Sequence, residues 1–264
     1  MPDGVPSLVR TSLVPLPALP ASPEDPLLDS WYHTIELGNG LVSRGMFDHR
    51  PIIHNWGLPP SLRGKTVLDV GTADGFLAFE AERRGAARVV AIDVARYGDF
   101  DWLPHVRKRI GPRMDTEMAA RFRIAHAMRG SRVEHFTCSV YDLSPEALGS
   151  FDIVLCGSLL LHLQNPLGAL VNIRSVTAEM AVVETVIDDE IDRECPDRPW
   201  IRFGIQPAES EPGEGCVYWR FGTRGLEEML RYAAFARVRP QEPYRAPLTD
   251  GRTGMMHRAV IAYP

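Results

Sequence analysis

Two aspartates and a run of small residues carry the strongest chemical signal in this chain. Asp69, Gly71, Ala73 and Gly75 lie within VLDVGTADG, and Asp93 ends the next apolar run. A glycine turn lets backbone pass close to a ligand. An acid two residues ahead of it would repel a pyrophosphate but suits a ligand with an amino or sulfonium group. Asp93, at the tip of its run, is placed to accept hydrogen bonds from ribose hydroxyls. Two histidines are candidates for moving a proton, because imidazole titrates nearest neutral pH. His162 follows the apolar run that ends at Cys156, and His33 lies in an aromatic-rich segment ahead of the glycine turn. Each also has a structural reading: His162 as a brace for the turn Gln164-Asn165-Pro166, His33 as part of a packing cap.

The elements that must position these residues are legible from Lys65 to Asp93. The run Val67–Val70 reads as a strand, Phe76–Arg84 as an amphipathic helix ended by Gly85, and Arg88–Ile92 as a second strand: one βαβ unit. Open α/β sheets bind ligands at the carboxyl ends of such strands. Counting from Gly71, the third residue is Ala73 and the sixth is Phe76, so the dinucleotide fingerprint fails. No Gly-Lys-Ser/Thr follows the turn, so it is no P-loop. A βαβ unit without a ligand is the remaining alternative.

The pattern Asp69-x-Gly71-x-x-x-Gly75, then Asp93, resembles the first two motifs of class I S-adenosylmethionine (SAM) methyltransferases, with Ala73 where the middle glycine usually stands. The resemblance implies a Rossmann-like α/β fold, a mostly parallel seven-stranded sheet with one antiparallel strand, and SAM as cofactor. It implies that Asp69, Gly71, Ala73 and Gly75 surround the methionine part, that Asp93 and Val94 meet the ribose, and that Ser139 and Val140 border the adenine. Cys156 and Gly157, at the end of the fourth strand, would face cofactor and substrate.

The remaining pattern completes an α/β chain. Val133–Val140, Phe151–Cys156 and Met180–Ile187 read as the next strands, and Phe235–Arg239 with Met256–Ala262 as a terminal antiparallel pair. Thr116–Met128, Leu167–Ser175 and Gly225–Ala234 read as helices, the last capped near Thr223. Residues 1–28 hold seven prolines and form an extended arm, on the body or on a partner subunit. Residues 29–264 form one methyltransferase domain with three additions. In the cap (31–63), Phe47–Trp56 reads as a helix broken early by Pro51. There His33 and Glu36 would be polar groups in an apolar wall if the cap is a lid. The insert (96–132) carries nine basic side chains against four acidic ones, either a seat for an anionic substrate or a solvated helix face. Its Trp102 could stack on a ligand or fill the core. The third addition is an acidic lid (188–214).

The runs CGSLLLHLQNPLGAL, VVETVIDDE and VYWRFGTRGLEEMLRYAAF narrow the resemblance. They are similar to the SAM-binding half of tRNA wobble-uridine carboxymethyltransferases and related actinobacterial methyltransferases. The tyrosine with which that family holds the extra carboxylate of its cofactor is Leu161 here, while its C-terminal arginine corresponds to Arg252. No counterpart of its tRNA-binding region is evident.

Composition agrees with a soluble enzyme: 264 residues, 45% hydrophobic, 24% charged and a net charge of −5, which argues against general nucleic-acid affinity. The four cysteines form no CxxC pair and no metal site, and Cys138 and Cys156 read as buried thiols in a cytoplasmic protein. No run reaches transmembrane length. The combined reading is methyl transfer to an oxygen or nitrogen of a small molecule, such as a secondary metabolite or sugar. RNA modification at a uridine and a non-catalytic SAM-binding partner are the alternatives.

Overall fold

A computed structural model describes residues 8–11, 13, 18–204 and 217–264. Its centre is a sheet whose main strands are β1 (Thr66–Val70), β2 (Arg88–Asp93), β3 (Glu134–Thr137), β4 (Phe151–Gly157), β5 (Thr177–Val186), β6 (Arg237–Pro240) and β7 (Met256–Tyr263). They run in the order β3-β2-β1-β4-β5-β7-β6. β3 to β5 pair in parallel, and β7 runs antiparallel between β5 and β6. Two two-residue strands extend the expected seven to nine: Val9–Arg10 beside β3 and Tyr244–Arg245 beside β7, both antiparallel. Chain order reverses between β1 and β4, the switch point at which a crevice opens.

Helices cover both faces, so the central strands read as unbroken apolar runs. The helices α1 (Phe76–Arg83), α2 (Ala119–Arg129), α3 (Pro166–Ser175) and α4 (Thr223–Tyr232) flank the sheet. Leu77, Phe79 and Phe122 fill one face with Trp31 and Trp56 of the cap; Leu170, Ile173, Leu226 and Leu230 fill the other. Burying each such side chain contributes about 1.5–3 kcal/mol.

Several boundaries depart from the sequence pattern for identifiable reasons. β3 stops at Thr137 because the Ser139 side chain accepts from Tyr141 N–H and starts a 3₁₀ turn, Val140–Asp142. α4 begins at Thr223, two residues early. Its free amide is met from outside: Asp192 accepts from Thr223 N at 2.6 Å and from its hydroxyl at 2.5 Å. The stretch Phe47–Trp56 is not a helix. Gly45–Phe47 pairs in parallel with Trp31–His33, and only Ile53–Trp56 coils, as 3₁₀, beyond Pro51, whose ring and missing N–H exclude it from a helix interior.

Four of the insert's basic side chains are engaged locally. Arg96 pairs with Asp115 and Arg123 with Glu117, while Arg121 and Arg129 lie over the rings of Trp31 and Phe79. Trp102 is buried and donates to Tyr97 O, away from the cavity described below. Much of the proline-rich arm, and residues 205–214 of the acidic lid, lie outside the described residues. Among the described residues no helix is long and apolar enough to cross a membrane.

Candidate active site

A cavity of about 810 Å³ opens at the carboxyl ends of β1, β2, β4 and β5. Its floor at one end is the glycine turn. Gly71, Ala73 and Gly75 all have positive φ (74°, 52° and 95°). A Cβ on Gly75 would meet the Phe79 and Phe122 rings within 2.4–2.8 Å, so side-chain packing demands glycine there. Ala73 holds the left-handed conformation despite its methyl group, a cost of about 1–2 kcal/mol. Asp93 locks that conformation: one carboxylate oxygen accepts from Ala73 N at 2.8 Å, the other from Val94 N at 2.8 Å. Burial raises its carboxyl to about 6, against the pull of those two amides. It is therefore mostly ionised at neutral pH and aimed by its own backbone.

Asp69 lies beneath the turn. Burial likewise raises it to about 6, opposed by a 2.6 Å hydrogen bond from the Thr72 hydroxyl; Ala78 N donates to the same oxygen. One oxygen thus braces the turn, and the residue still lines the cavity. Val94, Ser139, Val140 and Gly157 also line it. Asn172 holds that wall by donating to the carbonyls of Val140 and Tyr141. Gly75 and Cys156 do not reach the cavity. Gly75 is the residue before α1, and the Cys156 thiol is buried in the sheet, where desolvation strongly raises its pKa. Cys138 is also buried, and burial pushes its thiol up to about 11.

Both expected histidines line the cavity. His162 follows β4, with its backbone N–H bonded to Leu159 O. His33 comes from the cap and is gripped twice by Asp74 of the glycine turn. Its backbone N–H donates to one carboxylate oxygen at 2.7 Å, and Nδ1 lies 2.5 Å from the other. The cap is thereby latched to the glycine turn. Glu36 is not in the wall; it is exposed and pairs with Arg50 at 3.3 Å.

The other end of the cavity holds groups to which sequence reasoning assigned no role. Glu184, in the apolar run AVVETV, is fully buried. One oxygen accepts from the Tyr244 hydroxyl (2.7 Å) and faces His257 Nδ1 (2.5 Å); the other accepts from Ser158 N (3.1 Å) and Oγ (2.9 Å). Burial alone would raise this carboxyl, but His257 beside it brings it below the ordinary value. His49 lies 5.3 Å from His33, ring to ring; burial, and secondarily the neighbouring His33 imidazole, push it down to about 3, so it is neutral at neutral pH. A glutamate inside an otherwise apolar strand was the available signal, since such a residue is almost never buried unpaired. Among the described residues no cluster has the make-up of a metal site.

The roof is tied down at Asp101. Its carboxylate accepts from the Tyr141 hydroxyl, Gln164 N and Gln164 Nε2, each at 2.6 Å, and its carbonyl accepts from the Tyr218 hydroxyl at 2.8 Å. These bonds join the insert, the loop after β4 and the segment before α4 across the cavity.

Known proteins share this architecture. No family model matches the chain. A ubiquinone biosynthesis O-methyltransferase of Xanthomonas campestris pv. campestris is 36% identical over 111 residues, 42% of this chain and 37% of that protein, so the match spans little more than a third of the relative. Among solved structures, the N-terminal domain of EvdMO1 with S-adenosylhomocysteine bound superposes with a TM-score of 0.62 at 17% identity, over 89% of this chain and 92% of that one. The 1,6-didemethyltoxoflavin-N1-methyltransferase of Burkholderia thailandensis, with 1,6-didemethyltoxoflavin and S-adenosylhomocysteine bound, gives 0.50 at 20% identity, over 76% and 71%. The chain has the Rossmann-like fold of class I SAM-dependent methyltransferases.

Proposed function

We propose that this protein is a SAM-dependent methyltransferase acting on an oxygen or nitrogen of a small molecule. The observation that carries the reading is the placement of a backbone-aimed Asp93 and a histidine-lined pocket in one cavity, which suits two ligands side by side. The residues present fit SAM. Asp93 offers acceptors to two ribose hydroxyls, Ser139 and Val140 border an adenine, and the turn at Gly71 admits the methionine part, whose amino group suits Asp69. Bound there, SAM supplies an activated methyl group. The protein's own work is then to hold the acceptor in line, exclude water through the Asp101 roof, and take up a proton.

The narrower resemblance to carboxymethyltransferases of tRNA is the weaker reading. Arg252 lines the cavity but pairs with Asp250 at 2.6 Å, and Leu161 presents no hydrogen-bond donor where that family has tyrosine. Ordinary SAM is therefore the donor in this proposal, because a buried carboxylate lacking its partner is costly. Nucleic acid is the weaker partner, since Arg96, Arg121, Arg123 and Arg129 are engaged within the fold.

The test is methyl transfer from radiolabelled SAM into small-molecule and RNA fractions of the host. Label in a small molecule supports the reading; label in RNA alone favours the tRNA alternative. Tight SAM binding with no label in either favours a non-catalytic SAM-binding protein.

A further inference from the structure

The end of the cavity away from the glycine turn is built from costly parts. A carboxylate with no exposed surface, a histidine and a tyrosine meet at Glu184, where apolar residues of similar volume would pack at no desolvation cost. Ser158, which gives Glu184 two hydrogen bonds, sits at a φ of +45°, a strained conformation that persists where the surroundings over-determine it. His257 spends Nδ1 on Glu184; Nε2 has no partner among the described residues, and the side chain lines the cavity. His49 lines the same end, is nine-tenths buried, and its Nδ1 has no partner among the described residues either.

The surrounding walls are apolar and largely aromatic: Phe47 and Trp56, with Tyr32, Met46 and Met255 towards the mouth and Phe76 where this end meets the glycine turn. Among the described residues, the cations that line the cavity are Arg113, stacked over Tyr97 at 4.8 Å, and Arg252, paired with Asp250. Against them stand Asp69, Asp93, Asp99, Asp101 and Glu184. The field disfavours an anionic acceptor, and aromatic walls favour a planar one.

We propose that this end binds a neutral hydroxylated aromatic ring and that His257, oriented by Glu184, is the base for its hydroxyl. This rests on the methyl-transfer reading above. The acceptor's O–H proton passes to His257 Nε2 while the oxygen lone pair bonds the methyl carbon and the carbon–sulfur pair returns to sulfur. The resulting imidazolium is held by the Glu184 carboxylate. His49 offers its unpaired nitrogen to a second ring substituent. His33, bound at both backbone and ring to the glycine turn, belongs to the cofactor side.

The experiment begins with calorimetry of SAM, because a protein that does not bind SAM refutes the methyl-transfer reading itself. Catechol is then titrated into the protein loaded with S-adenosylhomocysteine and followed by tryptophan fluorescence, alongside 3,4-dihydroxybenzoate and D-glucose. Catechol should bind at least about tenfold more tightly than either; equal or reversed preference overturns the substrate class. His257→Asn retains an amide donor for Glu184 but lacks Nε2, so it keeps the fold where alanine could lose it. It should bind SAM as before, yet turn catechol over about 100- to 10,000-fold more slowly. The defect should shrink for more acidic fluorinated catechols, which need less help to ionise. A folded His257→Asn protein with turnover within a few-fold of normal, or a defect independent of acceptor acidity, returns His257 to a packing role.

Discussion

Replacing Asp93 with alanine separates cofactor binding from folding. In the folded protein burial raises this carboxyl from 3.8 to about 6, so holding it ionised at neutral pH costs about 3 kcal/mol. Alanine removes that cost. It also frees the amides of Ala73 and Val94, two bonds worth about 0.5–1.5 kcal/mol each. The two effects oppose each other, so the unliganded variant should unfold within about 2 kcal/mol of the parent in a urea titration. SAM binding should suffer far more. Two charge-assisted hydrogen bonds to ribose, about 1.5–3 kcal/mol each, are lost and partly replaced by water. The net loss of roughly 1.4–2.8 kcal/mol is a ten- to hundredfold rise in Kd by calorimetry. An unchanged Kd in a folded Asp93→Ala protein would falsify the placement of ribose at this carboxylate.

The same carboxyl sets a pH dependence. Because the folded value, about 6, exceeds the ordinary 3.8, the unliganded fold binds extra protons between these values and loses stability as pH rises through the window. Ribose recognition needs the ionised form, so SAM affinity should fall as pH drops below about 6, roughly tenfold by pH 5; a flat calorimetric profile from pH 7.5 to 5 would contradict this. With the proton assigned to His257, His162→Ala should retain turnover within about tenfold in the labelled-SAM assay, and a loss beyond 100-fold would move the base to His162. Mass spectrometry of freshly purified protein should find SAM or S-adenosylhomocysteine, and carboxylated SAM in its place would overturn the argument from Leu161.

Local residue patterns were enough to specify the strand–turn–helix–strand unit from Thr66 to Asp93, the succession of strands to β7, and the acids at the turn. Their information is local: apolar periodicity, glycine and a terminal aspartate lie within a few residues of the element they define. Even there, boundaries moved where a partner from afar intervened, as Asp192 did for the first turn of α4. What the histidines face depends on long-range packing. His33 meets Asp74 across 41 residues, and His257 meets Glu184 across 73, through the antiparallel pairing of β5 with β7. A buried carboxylate and a histidine attract each other whatever their separation in the chain. Which carboxylate meets which histidine is therefore set by sheet order and register, and no short-range pattern encodes either.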